Sequence, residues 1–284
     1  MIELRRITLE DYDDIVDISK SIWEGSDYLP KLFHKWINDE GCFLGAVDTE
    51  KNKVIGVGKF SILHDKTGWL EGLRTHVDYR GRKIARLLSE KLIEISKHYL
   101  QEGKINKIGF ATYIDSVESI TLMQKLGFKL EKKLYLINRE YDNLDPKLSL
   151  CDFKVEPWKL TYEEFTNLNY IEKRDGLLDL AFVFQKPTLE LYNELIENES
   201  FIIINGYKGI LKLKSEPYFA VEGDSFDGIN TFMNYCLLRY KNQNLSAPLT
   251  TLTEQDKTII TKLKQSGFIS WSGWQLDYLY FLYK

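Results

Sequence analysis

The spacing of apolar and polar positions divides the chain into short elements. Ile2–Ile7 reads as a strand. Thr8 reads as the N-cap of the helix after it, with Asp11 three residues on in the place of the usual capping-box glutamate. That helix carries Tyr12, Ile15, Val16 and Ile18, and the loop 23-WEGSDYLP-30 leads into a second helix near Leu32–Asn38. Cys42–Val47 and Val54–Leu63 read as strands, and the polar 48-DTEKNK-53 between them predicts a hairpin. Trp69–Val77 is a further strand. Ile84–Leu100 is an amphipathic helix, because Ile84, Leu87, Leu88, Leu92, Ile93 and Ile95 share a broad face. Ile105–Tyr113 reads as a strand and Val117–Leu126 as a helix closed by Gly127, a residue suited to the left-handed position after a helix end. Lys129–Tyr141 supplies one or two final strands. This order predicts an α/β fold (mixed α+β), with helices layered on one mixed, largely antiparallel sheet.

The run 143-NLDPKLSL-150 reads as a linker, which separates residues 1–142 from a second α/β region at 151–284. There, Tyr162–Leu168, Leu189–Glu197 and Asn230–Tyr240 have helical spacing. Ser200–Ile204 and Lys208–Lys214 flank the turn 205-NGYK-208 as a strand pair, and Leu249–Leu252 is a short strand. The segment 260-ITKLKQSGF-268 echoes 120-ITLMQKLGF-128: each is a helix end followed by Gly-Phe and a strand. The echo raises a duplicated supersecondary unit, against the plainer reading that Gly-Phe after a helix is common capping.

Composition narrows the function classes. With 38 basic and 42 acidic side chains the formal net charge is −4, which argues against a general nucleic-acid or membrane-surface binder. Cys42, Cys151 and Cys236 are far apart and in no CxxC spacing, so neither a disulfide framework nor a zinc site is expected, and a reducing cytoplasm fits. The N-terminus turns acidic where a signal peptide is apolar, and no apolar run reaches the length of a membrane span. No His/Asp/Glu cluster has ligand spacing, so no metal is expected; His34 and His76 read as structural or surface residues.

The densest basic patch lies in 79-YRGRKIARLL-88, where a strand feeds a glycine turn and the turn feeds a helix. First-turn amides of a helix have no intrahelical partner, and with the helix dipole they attract anions. Arg80, Arg82 and Lys83 add full charges at the same place, which suits a diphosphate. A solvent-facing basic helix start would show the same residues, so the motif alone leaves both readings open.

In its order of elements the segment resembles the acyl-CoA loop of the GNAT superfamily of N-acyltransferases, Arg/Gln-x-x-Gly-x-Gly/Ala: Arg80 takes the first place, Lys83 the glycine place and Ala85 the last. The stretch 116-SVESITLMQKLGF-128 resembles the family's later helix, with Ser116, Ser119, Met123, Gly127 and Phe128 in its marked places. The likeness covers about residues 1–142 and implies a GNAT fold there. A narrower likeness, carried by 22-IWEGSDYLPKLFHKW-36 and 70-LEGLRTHVDYRGRKIA-85, is to the vertebrate histidine N-acetyltransferase group, which also carries an additional C-terminal domain. It implies acetylation of the amino group of an amino acid or related small amine.

The resemblance implies acetyl-CoA as co-substrate. Its pyrophosphate would lie on the loop Arg80, Gly81, Arg82, Lys83, Ile84 and Ala85, and its pantetheine arm along the backbone of Leu73, Arg74 and Thr75, with Ser116 and Ser119 as further contacts. Lys83 needs no glycine there if it is right-handed helical. Glu71 is the candidate base; plain strand alternation puts it on one face with Leu73 and Thr75. Trp23, Glu24, Asp27 and Tyr28 are the candidate acceptor wall, with carboxylates to draw a cationic amine, although Asp27 also suits a helix cap. Family members protonate the leaving thiolate with a tyrosine where Met123 stands here, which leaves Tyr113 or solvent as the acid. The second half has the acidic 223-GDSFDGIN-230 where a second loop would fall, so it is expected to lack the cofactor and to close the acceptor cleft or form a homodimer. Two other classes stay open: a non-enzymatic acyl-CoA-binding or regulatory module, and a structural partner protein that binds no CoA.

Overall fold

The computed structural model describes residues 1–213, 216–243 and 245–284, with the side chain of Glu24 outside the description. The chain forms two compact units. Unit 1 holds residues 1–110, 118–129 and 281–284; unit 2 holds 111–117 and 130–280. They do not divide at 143–150, the linker expected from composition. That run follows short turns inside unit 2, and the chain has already passed into unit 2 at residue 130.

Unit 1 begins with β1 (Ile2–Arg6), α1 (Tyr12–Ser19), α2 (Leu29–Asn38), β2 (Cys42–Asp48), β3 (Lys53–Ile62) and β4 (Thr67–Thr75). It continues with α3 (Ile84–Gln101), β5 (Lys107–Tyr113), α4 (Val117–Lys125) and the start of β6 (Phe128–Asn138). Strands β1 to β4 pair antiparallel in sequence order, and β4 meets β5 in parallel. The Thr8–Asp11 capping box forms as expected, and Arg5 grips the Asp11 carboxylate at 2.7 and 2.8 Å.

The two faces of this sheet differ in how they are filled. On one, Ile15 and Ile18 of α1 and Leu29, Phe33 and Trp36 of α2 pack on Phe43 and Val57 in a dry core. On the other, α3 lies so close to β3 that only glycine fits beneath it. An added Cβ at Gly56 would lie 2.7 Å from Ile84, and one at Gly58 2.8 Å from Leu92. The C-terminal residues complete unit 1, where Phe281 stacks on Phe110 at 4.9 Å.

Unit 2 contains β7 (Val155–Pro157), α5 (Tyr162–Thr166), α6 (Asn169–Glu172), a hairpin of β8 (Leu178–Leu180) and β9 (Val183–Gln185), and α7 (Leu189–Glu197). There follow β10 (Phe201–Ile204), β11 (Tyr207–Leu213), β12 (Pro217–Val221), α8 (Phe226–Tyr240), β13 (Leu249–Leu252), α9 (Lys257–Gln265), β14 (Ile269–Ser270) and β15 (Tyr278–Tyr283). Lys214, expected to end β11, lies outside the described residues.

The pairing repeats that of unit 1. Strands β7, β10, β11 and β12 run antiparallel to their neighbours, β13 joins β12 in parallel, and β6 lies antiparallel on β13. The echoed segments play the same part in each unit: α4 and α9 each end at a positive-φ glycine, Gly127 (+103°) and Gly267 (+75°), followed by a buried phenylalanine. The sequence likeness therefore marks a duplicated topology, not capping alone.

Candidate functional site

The site is built around an irregularity in β4. Lys59 pairs with Glu71 and Val57 with Arg74, so one residue of β3, Gly58, faces two of β4, Gly72 and Leu73. This is a β-bulge, and Gly72 takes the left-handed φ of +64° that such a bulge favours. Glycine is required twice here, because an added Cβ would also lie 2.4 Å from the Trp36 ring.

The bulge overturns the expectation that Glu71, Leu73 and Thr75 share a face. Glu71 lies opposite Lys59, whose ammonium points to α2, so Glu71 faces the α1–α2 side. Leu73 joins Leu92 of α3 around Gly58, and Thr75 sits opposite Gly56 beneath Ile84. The extra residue resets the alternation, and Arg74 returns to the Glu71 side. The parallel ladder to β5 covers Thr67 to Trp69 only, and Leu70–Thr75 lies outside it. A strand edge released in this way can pair with an extended, amide-bearing ligand.

Glu71 is half-buried and accepts a hydrogen bond from Ser61 Oγ at 2.8 Å. Lys59, across the strand pair, is fully buried and donates to the backbone oxygens of Trp36 (3.0 Å) and Glu40 (3.3 Å), pinning the end of α2. Burial pushes its pKa down, partly opposed by Asp39 and Glu71. Neither Ser61 nor Lys59 was among the sequence candidates. The lysine inside the apolar run 53-KVIGVGKFSI-62 was the available signal.

After β4 the chain makes a tight turn held by His76. Its Nδ1 accepts from Asp78 N at 3.2 Å and its Nε2 donates to Asp17 at 3.1 Å, a structural role, as expected. Tyr79 is buried and donates to Asp48 at 2.8 Å, with the Arg82 guanidinium 4.9 Å from its ring centre. Arg80, Gly81, Arg82 and Lys83 are exposed. The first intrahelical bond of α3 runs from Leu87 N to Lys83 O, so the amides of Ile84, Ala85 and Arg86 precede it, and the first turn holds no acidic residue. Three free amides and three exposed cations make this the anion-attracting end of unit 1.

Lys83 corrects a second expectation. It is not right-handed helical: its φ of +61° is left-handed, the conformation that the glycine of the resembled motif takes freely.

The expected acceptor wall is already occupied by the protein's own arginine. Asp27 is buried and forms a two-pronged pair with Arg74, Nε to Oδ2 and Nη2 to Oδ1 both at 3.1 Å, while Ser19 Oγ donates to Oδ2 at 3.2 Å. The Arg74 guanidinium lies 4.7 Å from the Trp23 ring centre and 5.4 Å from that of Tyr28. Asp27 does not cap α2, whose N-cap is Tyr28 with no side-chain capping bond.

Of the remaining candidates, Ser119 is half-buried on the first turn of α4 and Met123 is buried. Ser116 and Tyr113 belong to unit 2, where Tyr113 stacks on Trp271 at 4.4 Å. Among the described residues no group of three or more His, Cys, Asp and Glu is placed to hold a metal ion, and no helix is long and apolar enough to cross a membrane.

Residues 3–128 match the acetyltransferase (GNAT) family model. This chain carries a GNAT-family domain. Histidine N-acetyltransferase of Xenopus tropicalis is 32% identical over 100 residues, 35% of this chain and 31% of that protein. The same enzyme of Oreochromis niloticus is 28% identical over 159 residues, 56% of this chain and 42% of that protein. The matched stretches thus span less than half of these relatives' own length. A GCN5-related N-acetyltransferase structure from Sphaerobacter thermophilus aligns with 99% of this chain and 95% of its own, at a TM-score of 0.64 and 10% identity. The likeness in fold therefore extends over both units of this chain.

Unit 2 repeats the strand order of unit 1 without the features that mark β4. The β11–β12 register runs unbroken from Gly209↔Val221 to Leu213↔Pro217, with no bulge. Asp224 and Asp227 stand at the start of α8 where unit 1 has cations. Fully buried Arg174 donates to Asp224 past the end of β12 (3.2 Å) and to Thr251 O on β13 (2.8 Å), and its Nε lies 2.8 Å from Asp179.

Proposed function

We propose that the protein is an acetyl-CoA-dependent N-acetyltransferase acting on the amino group of a small amine, an amino acid in the class of histidine. The observation that carries this reading is the Gly72 bulge. It frees the β4 edge, directs Glu71 to the α1–α2 side, and leads into a helix start rich in free amides and cations. The family match and the histidine N-acetyltransferase relatives support the same class.

In this reading the backbone of Leu73 to Thr75 pairs with the pantetheine amides, and the pyrophosphate lies on the amides of Arg82 to Ala85 beside Arg80, Arg82 and Lys83. The neutral amine attacks the thioester carbon, forming the C–N bond. The C–S bond breaks as the tetrahedral intermediate collapses. Glu71 takes the amine proton, held in place by Ser61. Met123 has no proton to give, so the thiolate takes its proton from solvent. Ser119 lines the cofactor side, and Trp23 and Tyr28 border the acceptor. Among the described residues, unit 2 has neither the bulge in its β11–β12 register nor cations at the start of α8, so one coenzyme A binds per chain, in unit 1.

Met123 also favours a second reading, an acyl-CoA-binding module without turnover. Incubation with acetyl-CoA and an amino-acid panel, following free thiol, decides between them. Thiol release with at least one amino acid is expected, and calorimetry should give one coenzyme A per chain. Coenzyme A binding without thiol release for any amine would refute the transferase reading.

A further inference from the structure

The sequence suggests that the aromatic and acidic loop 23–28 draws a cation, and in the structure that cation is Arg74. Its guanidinium lies against the rings of both Trp23 and Tyr28 and neutralises buried Asp27. A cationic acceptor seated on Asp27 would have to break a two-pronged buried ion pair, which leaves the Arg74 charge without its partner. The bulge also sets Arg74 on the same face of the sheet as Glu71.

Arg74 keeps part of its recognition capacity. A guanidinium has five N–H donors. Asp27 takes two, Leu73 O one at 3.1 Å, and Tyr28 a further hydrogen bond. The side chain is 13% exposed, and the two-pronged pair with Asp27 fixes the orientation of the guanidinium. Over it lies Trp23, 52% exposed although its backbone has a φ of +45°. Left-handed backbone at a large aromatic residue is costly, and such strain gathers at ligand clamps.

We propose that Arg74 is a specificity-determining residue of the acceptor site, and that it reads a carboxylate carried beside the acceptor's amino group. The assignment rests on the proposed acyl transfer and narrows its substrate class to α-amino acids over decarboxylated or polycationic amines. The carboxylate meets the remaining N–H of a preorganised guanidinium under the Trp23 ring, while the amino group is directed to Glu71.

The test is calorimetric binding to the coenzyme-A-loaded protein, which reads recognition whether or not the acyl group moves. The probes are histidine, histidine amide and histamine, with the other amino acids as a panel. Histidine is expected to bind about 10–100-fold more tightly than the two analogues, the range of a charge-assisted hydrogen bond. Replacing Arg74→Met together with Asp27→Asn removes both buried charges at once; it should bring all three probes to within about threefold. Arg74→Lys keeps a partner for Asp27 but lacks the fork, and should lose several-fold of the discrimination. Equal binding of the three probes to the wild type, discrimination retained in both variants, or binding of no amino acid in the panel would overturn the proposal. Discrimination without thiol release would count against the transferase reading and leave the Arg74 assignment standing.

Discussion

Replacing Gly72 by alanine tests the bulge directly, because the chain supplies its own control. Gly72 and Gly81 both have left-handed backbone, at φ +64° and +76°. An added Cβ at Gly81 meets nothing within 4 Å, whereas at Gly72 it lies 2.4 and 2.5 Å from two atoms of the Trp36 ring. That ring is 3% exposed and meets Phe43 edge-on at 5.3 Å, so it has little room to retreat. The backbone term alone costs about 1 kcal/mol at either position. Overpacking a filled core adds about 1–3 kcal/mol at Gly72. Gly81→Ala should therefore destabilise by about 1 kcal/mol and Gly72→Ala by about 2–4 kcal/mol, a Tm difference of roughly 2–12 °C at the size of this chain. Thermal and urea unfolding of the two variants measure the gap. Equal losses would mean that Trp36 does not wall the bulge, and a milder effect at Gly72 would refute the register from which the Glu71 side is inferred.

The other predictions concern the loop and the base. Lys83→Gly relieves a left-handed lysine and should leave stability unchanged or raised by up to about 1 kcal/mol, whereas Lys83→Met keeps the strain. Both should weaken coenzyme A binding several-fold by losing one charge, and Tm with calorimetric Kd reads the two effects apart. Arg80→Glu with Lys83→Glu should weaken coenzyme A binding strongly, and an unchanged Kd would sink the loop assignment. Glu71→Gln should lower kcat about 100-fold near neutral pH at unchanged coenzyme A affinity, in the range of a lost general base. Most of that loss should return at high pH, where the amine is already deprotonated, and a wild-type rate at neutral pH would rule Glu71 out.

Much of the first unit was legible because its signals are local. The hairpin, the long amphipathic α3, the Thr8–Asp11 cap and the Gly-Phe helix ends each depend on residues within a few positions of one another. What escaped was set by register and distance. A bulge adds one residue to a strand without changing its composition, so 70-LEGLRT-75 reads as regular alternation and Gly72 is the only mark of the break. The Arg74–Asp27 pair joins positions 47 apart, and no local pattern connects an arginine in a strand to an aspartate in a loop. Lys83 misled for a different reason: a side chain in the glycine place looks compatible with a right-handed helix start until the backbone shows φ +61°.

The duplicated topology sharpens which features belong to the fold and which to the site. Both units have one parallel pair after an antiparallel run, a positive-φ glycine after the last helix and a buried phenylalanine beyond it, so these serve the architecture. Among the described residues, only unit 1 combines the bulge, the α3 start with its cations and, on the freed strand, a carboxylate held by a serine. In unit 2 the corresponding strand is continuous, and Arg174 joins the region past β12 to β13 through Asp224 and Thr251. A buried ion-pair network of that kind gives specificity of packing more readily than stability, and breaking it by removing one partner is strongly destabilising. In each unit a guanidinium on a buried aspartate fixes the local geometry. In unit 1 the arginine side chain is 13% exposed beside a solvent-facing tryptophan; in unit 2 the arginine is fully enclosed. That difference in access separates the two arginines: the recognition proposed for Arg74 draws on it, and enclosure gives Arg174 a structural task.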